Sequence, residues 1–281
     1  MHAHDPLITA AELQTQISAA NVRVLDATWV PPFLKDRPNG YTCYLTGHLP
    51  GAVFFDIEEI ADQSSDLPHM LPSEDAFAEA VGQLGVSNHN EIIVYDSNGF
   101  FASARAWWMF CVMGHEHVRV LDGGLNAWQA HGGDLEASQQ TSAPTNFTAK
   151  LNRALLKDMN EMRAHIVARD VAILDARAPS RFDGSSPEPR PELPSGHMPG
   201  SSCVPATDLI NPDGTLKAPA DLATMLAQYV ETDVVTTCGS GVSAAIISLA
   251  LARLGNWNAA LYDGSWSEWA AHSDNSIATI S

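Results

Sequence analysis

The chain repeats itself. Val22-Arg23-Val24-Leu25-Asp26-Ala27 matches Val171-Ala172-Ile173-Leu174-Asp175-Ala176, and Gly47-His48-Leu49-Pro50-Gly51 matches Gly196-His197-Met198-Pro199-Gly200, both at a spacing of 149 residues. Further on, Ile92-Ile93-Val94-Tyr95-Asp96 stands opposite Val234-Val235-Thr236-Thr237-Cys238. Val118 to Gly124 with Trp128 stands opposite Ala259 to Ser265 with Trp269, the spacing now shrunk to about 141. Blocks that recur in one order at nearly constant spacing mean that whatever one half folds into, the other folds into as well. In each half, short β-branched runs alternate with helical patterns, at Asp75 to Gly85 and Ala104 to Met113, then at Asp221 to Val230 and Ser243 to Leu254. That alternation predicts an α/β fold with parallel sheets.

A length of 281 residues exceeds the usual single domain and fits two domains of about 130 residues each. Between the copies, Glu136 to Asn146 is polar, small and proline-bearing, which is linker composition. The expected organisation is a first domain over residues 5–135, a linker over 136–155 and a second domain over 156–281.

Composition excludes several classes of function. A formal net charge of −18 is wrong for a nucleic-acid or anionic-membrane partner, because phosphate binding needs clustered basic residues. No apolar run approaches the roughly 18 residues of a membrane span, and the start, Met1 to Pro6, has neither a basic nor an apolar leader region. A cytoplasmic location is expected. The four cysteines, Cys43, Cys111, Cys203 and Cys238, are widely spaced without Cys-x-x-Cys, which argues against a disulfide framework and a zinc site. Neither a metal nor an organic cofactor is expected.

The copies differ decisively in the loop after the third matched run, where the first has Asp96 and the second has Cys238-Gly239-Ser240-Gly241-Val242-Ser243. A β-branched run ending in cysteine, two glycines and two serines before an alanine-rich helical pattern reads as strand, tight loop, helix, with the cysteine at the loop's entrance. Loop glycines let backbone N–H groups turn inward, and the helix N-terminus adds partial positive charge, so this setting favours a thiolate. A cysteine that merely filled the core would need neither.

The loop resembles the active-site loop of the rhodanese-like sulfurtransferases, and Cys-Gly-Ser-Gly-Val followed by Ser or Thr is similar to its 3-mercaptopyruvate-using version. The repeat extends the resemblance over nearly the whole chain. It implies two tandem rhodanese-like domains, each a mainly parallel sheet flanked by helices, the first catalytically silent and the second active. It also implies transfer of sulfur from 3-mercaptopyruvate through a Cys238 persulfide to a thiol, cyanide or thioredoxin-like acceptor, with release of pyruvate.

By the same resemblance, Arg181 and Arg190, in the insert between Asp175 and Gly196, bind the donor carboxylate, for which a planar guanidinium is well suited. Gly239, Gly241, Val242 and Ser243 of the loop are likewise expected to bind the substrate. Ser240 takes part in catalysis with His69, with Glu58 at the position of a third, acidic partner. Arg177 is expected in a structural ion pair, and His48 and His197 as turn residues. The alternative on this scaffold is a thiosulfate sulfurtransferase, although a dianion favours basic side chains after the cysteine and Gly239 and Ser240 supply none. A phosphatase would need an arginine to hold the phosphoryl oxygens, where Ser243, Ala244 and Ala245 stand. A non-catalytic binding module would leave Cys238 unreactive.

Overall fold

The computed structural model describes residues 5–31, 34 and 36–280. The chain divides into two compact units, the first comprising residues up to 63, 71–152 and 211–216, the second 64–70, 153–210 and 217 onward.

In the first unit the order is β1 (Leu7–Ile8), α1 (Ala10–Gln16), β2 (Val22–Asp26), α2 (Gly40–Thr46), β3 (Val53–Phe54), α3 (Glu74–Gln83), β4 (Glu91–Tyr95), α4 (Ser103–Val112), β5 (Val118–Leu121) and α5 (Gly124–Ala130). In the second it is β6 (Leu156–Lys157), α6 (Met159–Ala168), β7 (Ala172–Asp175), α7 (Pro179–Phe182), β8 (Ser202–Cys203), α8 (Pro219–Leu226), β9 (Val234–Thr237), α9 (Ala244–Arg253), β10 (Ala260–Tyr262) and α10 (Ser265–Trp269). Each unit holds a five-stranded sheet, ordered β1-β5-β4-β2-β3 and β6-β10-β9-β7-β8, and every pairing is parallel. The two tandem α/β domains are thus one topology used twice.

The repeat reaches into details that set the element boundaries. Thr9 with Glu12, and Asp158 with Glu161, form reciprocal capping boxes at the starts of α1 and α6. The central strands read as continuous apolar or β-branched runs because both sheet faces are covered: Ile92, Ile93 and Val94 are fully buried in β4, and Val234 to Thr237 are buried in β9. Trp128 and Trp269 occupy matched core positions, each indole N–H reaching a main-chain oxygen, of Asp134 at 2.8 Å and of Ser276 at 3.0 Å. The paired Gly-His-x-Pro-Gly segments are turns. Gly51 and Gly200 take left-handed φ values of 71° and 81°, which explains glycine at both. His48 and His197 each direct Nδ1 at a main-chain oxygen, of Tyr44 and Phe182, and stack on those rings.

Helix limits fall within a few residues of the pattern. The largest difference is at α8, which stops at Leu226 and tightens into a 3-10 turn over Ala227–Tyr229. The segment from Glu136 to Asn152 is docked rather than loose. Glu136 bridges His48, Thr145 N–H donates to Gly82 O at 2.9 Å, and Phe147, 8% exposed, meets Phe77 and Phe110 edge-on. One aromatic ring in a polar stretch is enough to anchor it.

Equivalent aspartates end β2 and β7 with different fates. Asp175 has Arg177 two residues on, whereas Asp26 has Thr28, whose N–H donates to Asp26 Oδ1 at 2.8 Å. Burial without a cation pushes the Asp26 carboxyl above its ordinary range, and nearby Asp96 adds to the rise. The folded state therefore holds this proton more tightly than the unfolded chain. Its stabilising share is complete at low pH and lost as pH rises through the folded value. Asp26→Asn, which cannot ionise, should gain stability relative to wild type from about pH 4 to 7, by roughly 1.4 kcal/mol per unit of upward shift. Parallel denaturation curves across that range would exclude the effect.

Candidate active site

The first copy shows what the loop after the central strand is shaped to hold. Asp96 follows β4 as Cys238 follows β9. Its carboxylate accepts four main-chain N–H groups, Asn98 at 3.2 Å and Phe100 at 3.1 Å on Oδ1, Ala102 at 3.1 Å and Ser103 at 2.9 Å on Oδ2. This is an anion bound by loop amides at the mouth of α4.

In the second copy the loop backbone is turned by bonds to its carbonyls. Cys238 O accepts from Trp266 N–H at 2.9 Å, and Gly239 O accepts from Ser267 N–H at 2.9 Å and Ser267 Oγ at 2.6 Å. The first copy has the matching bond, Leu125 N–H to Asp96 O at 3.0 Å. With these carbonyls held on the α10 side, the N–H groups of Gly239, Ser240, Val242 and Ser243 donate to no acceptor among the described residues. Gly241 makes the bend with φ of 75°. The second loop thus offers amide donors where the first has filled them with its own carboxylate.

Cys238 heads this loop directly after β9 and is buried, 2% exposed. Its backbone is tied through Cys238 N–H to Ser265 Oγ at 3.2 Å as well as through its carbonyl. The other three cysteines are poor nucleophiles. Burial pushes the Cys43, Cys111 and Cys203 thiols up, Cys203 to about 11 with the Asp175 charge adding to the rise.

Ser265 is a site residue that motif reading missed. Fully buried, it takes Cys238 N–H and Thr237 Oγ1–H on its Oγ and donates to Tyr262 O at 2.9 Å. It holds a left-handed φ of 50°, an arrangement costing a non-glycine residue about 1 kcal/mol. The matched residue in the first copy is Gly124, φ 55°, where a Cβ would come within 2.1 Å of Asp96 O. The signal was present as a Gly-Gly to Gly-Ser change between the repeats.

Arg181 reaches the loop. A Cβ at Gly239 would stand 3.2 Å from Arg181 Nη2, so the guanidinium lies against the residue that follows the cysteine. It is already paired with Glu188, through Nε at 3.2 and 3.1 Å and through Nη2. Arg177 is the structural arginine expected. It forks onto Asp175, donates to Glu188 at 2.8 Å and to Gly196 O at 2.7 Å, and stacks over Trp266 at 4.3 Å. Arg190 is half-buried, and its guanidinium pairs with no carboxylate among the described residues. Among the described residues no hydrogen bond or ion pair joins Arg190 to the loop.

His69 and Ser240 come together, Nδ1 to Oγ at 3.1 Å, both largely buried. His69 holds a left-handed φ of 61°, backbone strain of the kind concentrated at functional sites. The fold groups residues 64–70 with the second unit, which brings a histidine numbered among the first copy to Ser240. Glu58 accepts Trp29 Nε1–H at 2.9 Å. Among the described residues there is no cluster of three metal-ligating side chains, and no helix is long and apolar enough to cross a membrane.

Fold and loop together define a class, a duplicated parallel α/β protein in which one copy carries an amide-lined loop headed by cysteine and the other has the same loop closed by aspartate. The Rhodanese-like domain family matches residues 9–131 and 158–272. The 3-mercaptopyruvate sulfurtransferase of Escherichia coli K12 is 41% identical over 95% of this chain and 96% of its own. Thiosulfate/3-mercaptopyruvate sulfurtransferase 2 of Arabidopsis thaliana is 39% identical over 95% of this chain and 84% of its own. The crystal structure of SseA from Escherichia coli superposes with a TM-score of 0.85 at 37% identity, covering 94% of this chain and 99% of that one. The chain belongs to the rhodanese-like family, with two such domains in tandem.

Ser265→Ala would leave the buried Cys238 N–H without its acceptor. The expected cost is about 1–3 kcal/mol of stability, together with a loss of Cys238 reactivity exceeding that of a surface Ser→Ala control, measured by denaturant melts and thiol alkylation.

Proposed function

We propose that the chain is a 3-mercaptopyruvate sulfurtransferase acting through Cys238. The observation that carries this is the contrast between the loops, since Asp96 takes four loop amides in the first copy, whereas in the second the loop is headed by Cys238 and the N–H groups of Gly239, Ser240, Val242 and Ser243 donate to no acceptor among the described residues. The second domain, residues 156–281, is the active one, and the first, residues 5–135, is catalytically silent because its loop is filled by its own carboxylate.

The Cys238 thiolate attacks the donor sulfur. An S–S bond forms, the C–S bond breaks, and the electron pair leaves on carbon as the enolate of pyruvate. The proton lost from the donor thiol ends on that carbon, so Cys238 persulfide and pyruvate are the balanced products. Loop amides stabilise the thiolate before transfer and the persulfide after it. Arg181 and Arg190 hold the donor carboxylate, and the Ser240 hydroxyl with His69 Nδ1 serves as the proton path. A thiol, cyanide or a thioredoxin-like protein then takes the outer sulfur, giving ping-pong kinetics. The expected setting is the cytoplasm, with no nucleic-acid or membrane partner and no cofactor. Thiosulfate is the second donor to consider, since the Arabidopsis relative's name includes both.

Mixing the protein with mercaptopyruvate and no acceptor should add the mass of one sulfur atom to Cys238, and Cys238→Ser should abolish transfer from either donor. Activity retained in that variant would remove the mechanism. Arg190→Gln should raise KM for mercaptopyruvate by on the order of tenfold, with kcat changed less, the loss expected of one charge-assisted contact.

A further inference from the structure

The charges behind the Cys238 loop balance. Two guanidinium groups, Arg177 and Arg181, meet two carboxylates, Asp175 and Glu188. Asp175 is committed wholly to Arg177, whereas Glu188, its side chain 3% exposed, divides itself between both arginines. Arg181 is the outer member, 24% exposed and lying against Gly239, so the cation that touches the residue after the cysteine is the one whose charge Glu188 cancels. The first copy has none of this, with Thr28 standing at the position of Arg177.

We infer that Glu188 is a specificity-determining positioning residue, holding Arg181 against Gly239 while neutralising it, so that the site accepts a singly charged donor and disfavours a doubly charged one. The inference rests on the proposed donor chemistry for its meaning, and on the geometry of Arg181, Glu188 and Gly239 for its argument. A guanidinium fixed by a carboxylate still has donors to direct at a second carboxylate, because its fork carries five N–H groups. Its net field at the sulfur is small. A keto acid with one negative charge is therefore oriented without needing a strongly positive pocket, and thiosulfate, with two charges, finds no excess cation to compensate it beyond Arg190.

The test compares Glu188→Gln, which keeps shape and removes charge, with Glu188→Asp, which keeps charge and shortens the side chain. The donor-independent readout is the ratio of Cys238 alkylation rates by iodoacetate, an anion, and iodoacetamide, a neutral reagent of similar size. Both attack through the same thiolate, so its ionised fraction cancels. One unit of uncovered positive charge at this range should raise the ratio about three- to tenfold in Glu188→Gln, and selectivity for thiosulfate over mercaptopyruvate should rise by a similar factor. Glu188→Asp should leave the alkylation ratio near wild type even where it slows both reactions. An unchanged ratio in Glu188→Gln, or an equal change in both variants, overturns the inference. If Glu188→Gln does not fold, Arg181→Gln takes its place, since Glu188 keeps Arg177, and the ratio should fall by a comparable factor. No persulfide from mercaptopyruvate in wild type would defeat the donor assignment alone, while the alkylation ratio would still decide the role of Glu188.

Discussion

The arrangement depends on where two peptide carbonyls point. Cys238 O and Gly239 O are tied to the N–H groups of Trp266 and Ser267, as Asp96 O is tied to Leu125 N–H in the copy whose loop amides bind a carboxylate. The β9 strand delivers the cysteine, α10 fixes the peptide planes, and α9 adds its N-terminal dipole. Ser265 completes the device from below, at the expense of a backbone conformation that its counterpart avoids by being glycine.

Duplication provides an internal control for this reading. Both copies keep the capping boxes, the sheet order, the turn glycines and the carbonyl bond beneath the loop. What changes is the residue that heads the loop. A carboxylate in the first copy takes four amides, and in the second, headed by cysteine, four loop amides donate to no acceptor among the described residues. The first loop is complete without a ligand, because the Asp96 carboxylate satisfies its amides from within the chain.

Electrostatics at the second loop come in two layers. Backbone groups of the loop form one, while side-chain charges form the other, a chain of alternating sign from Asp175 through Arg177 and Glu188 to Arg181. Burying two pairs together keeps each charge compensated, and breaking one link would leave a charge uncovered in a low-dielectric setting. The chain of charges meets the Cys238 loop at Arg181, which lies against Gly239.

The sequence by itself determined the duplication, the parallel α/β class and the loop headed by Cys238, because periodicity, spacing and local backbone preference act over short stretches of chain. It pointed to the Gly239 to Ser243 loop and to His69 beside Ser240 through family likeness. It did not disclose that Cys238 is buried, that Glu188 already holds Arg181, that Phe147 anchors the connecting segment, or that Ser265 supports the cysteine. Those are contacts between residues distant along the chain or on different elements, and only the tertiary structure decides them: hydrogen-bond direction, burial and charge pairing depend on which side chains the packed sheet brings within a few ångströms of one another.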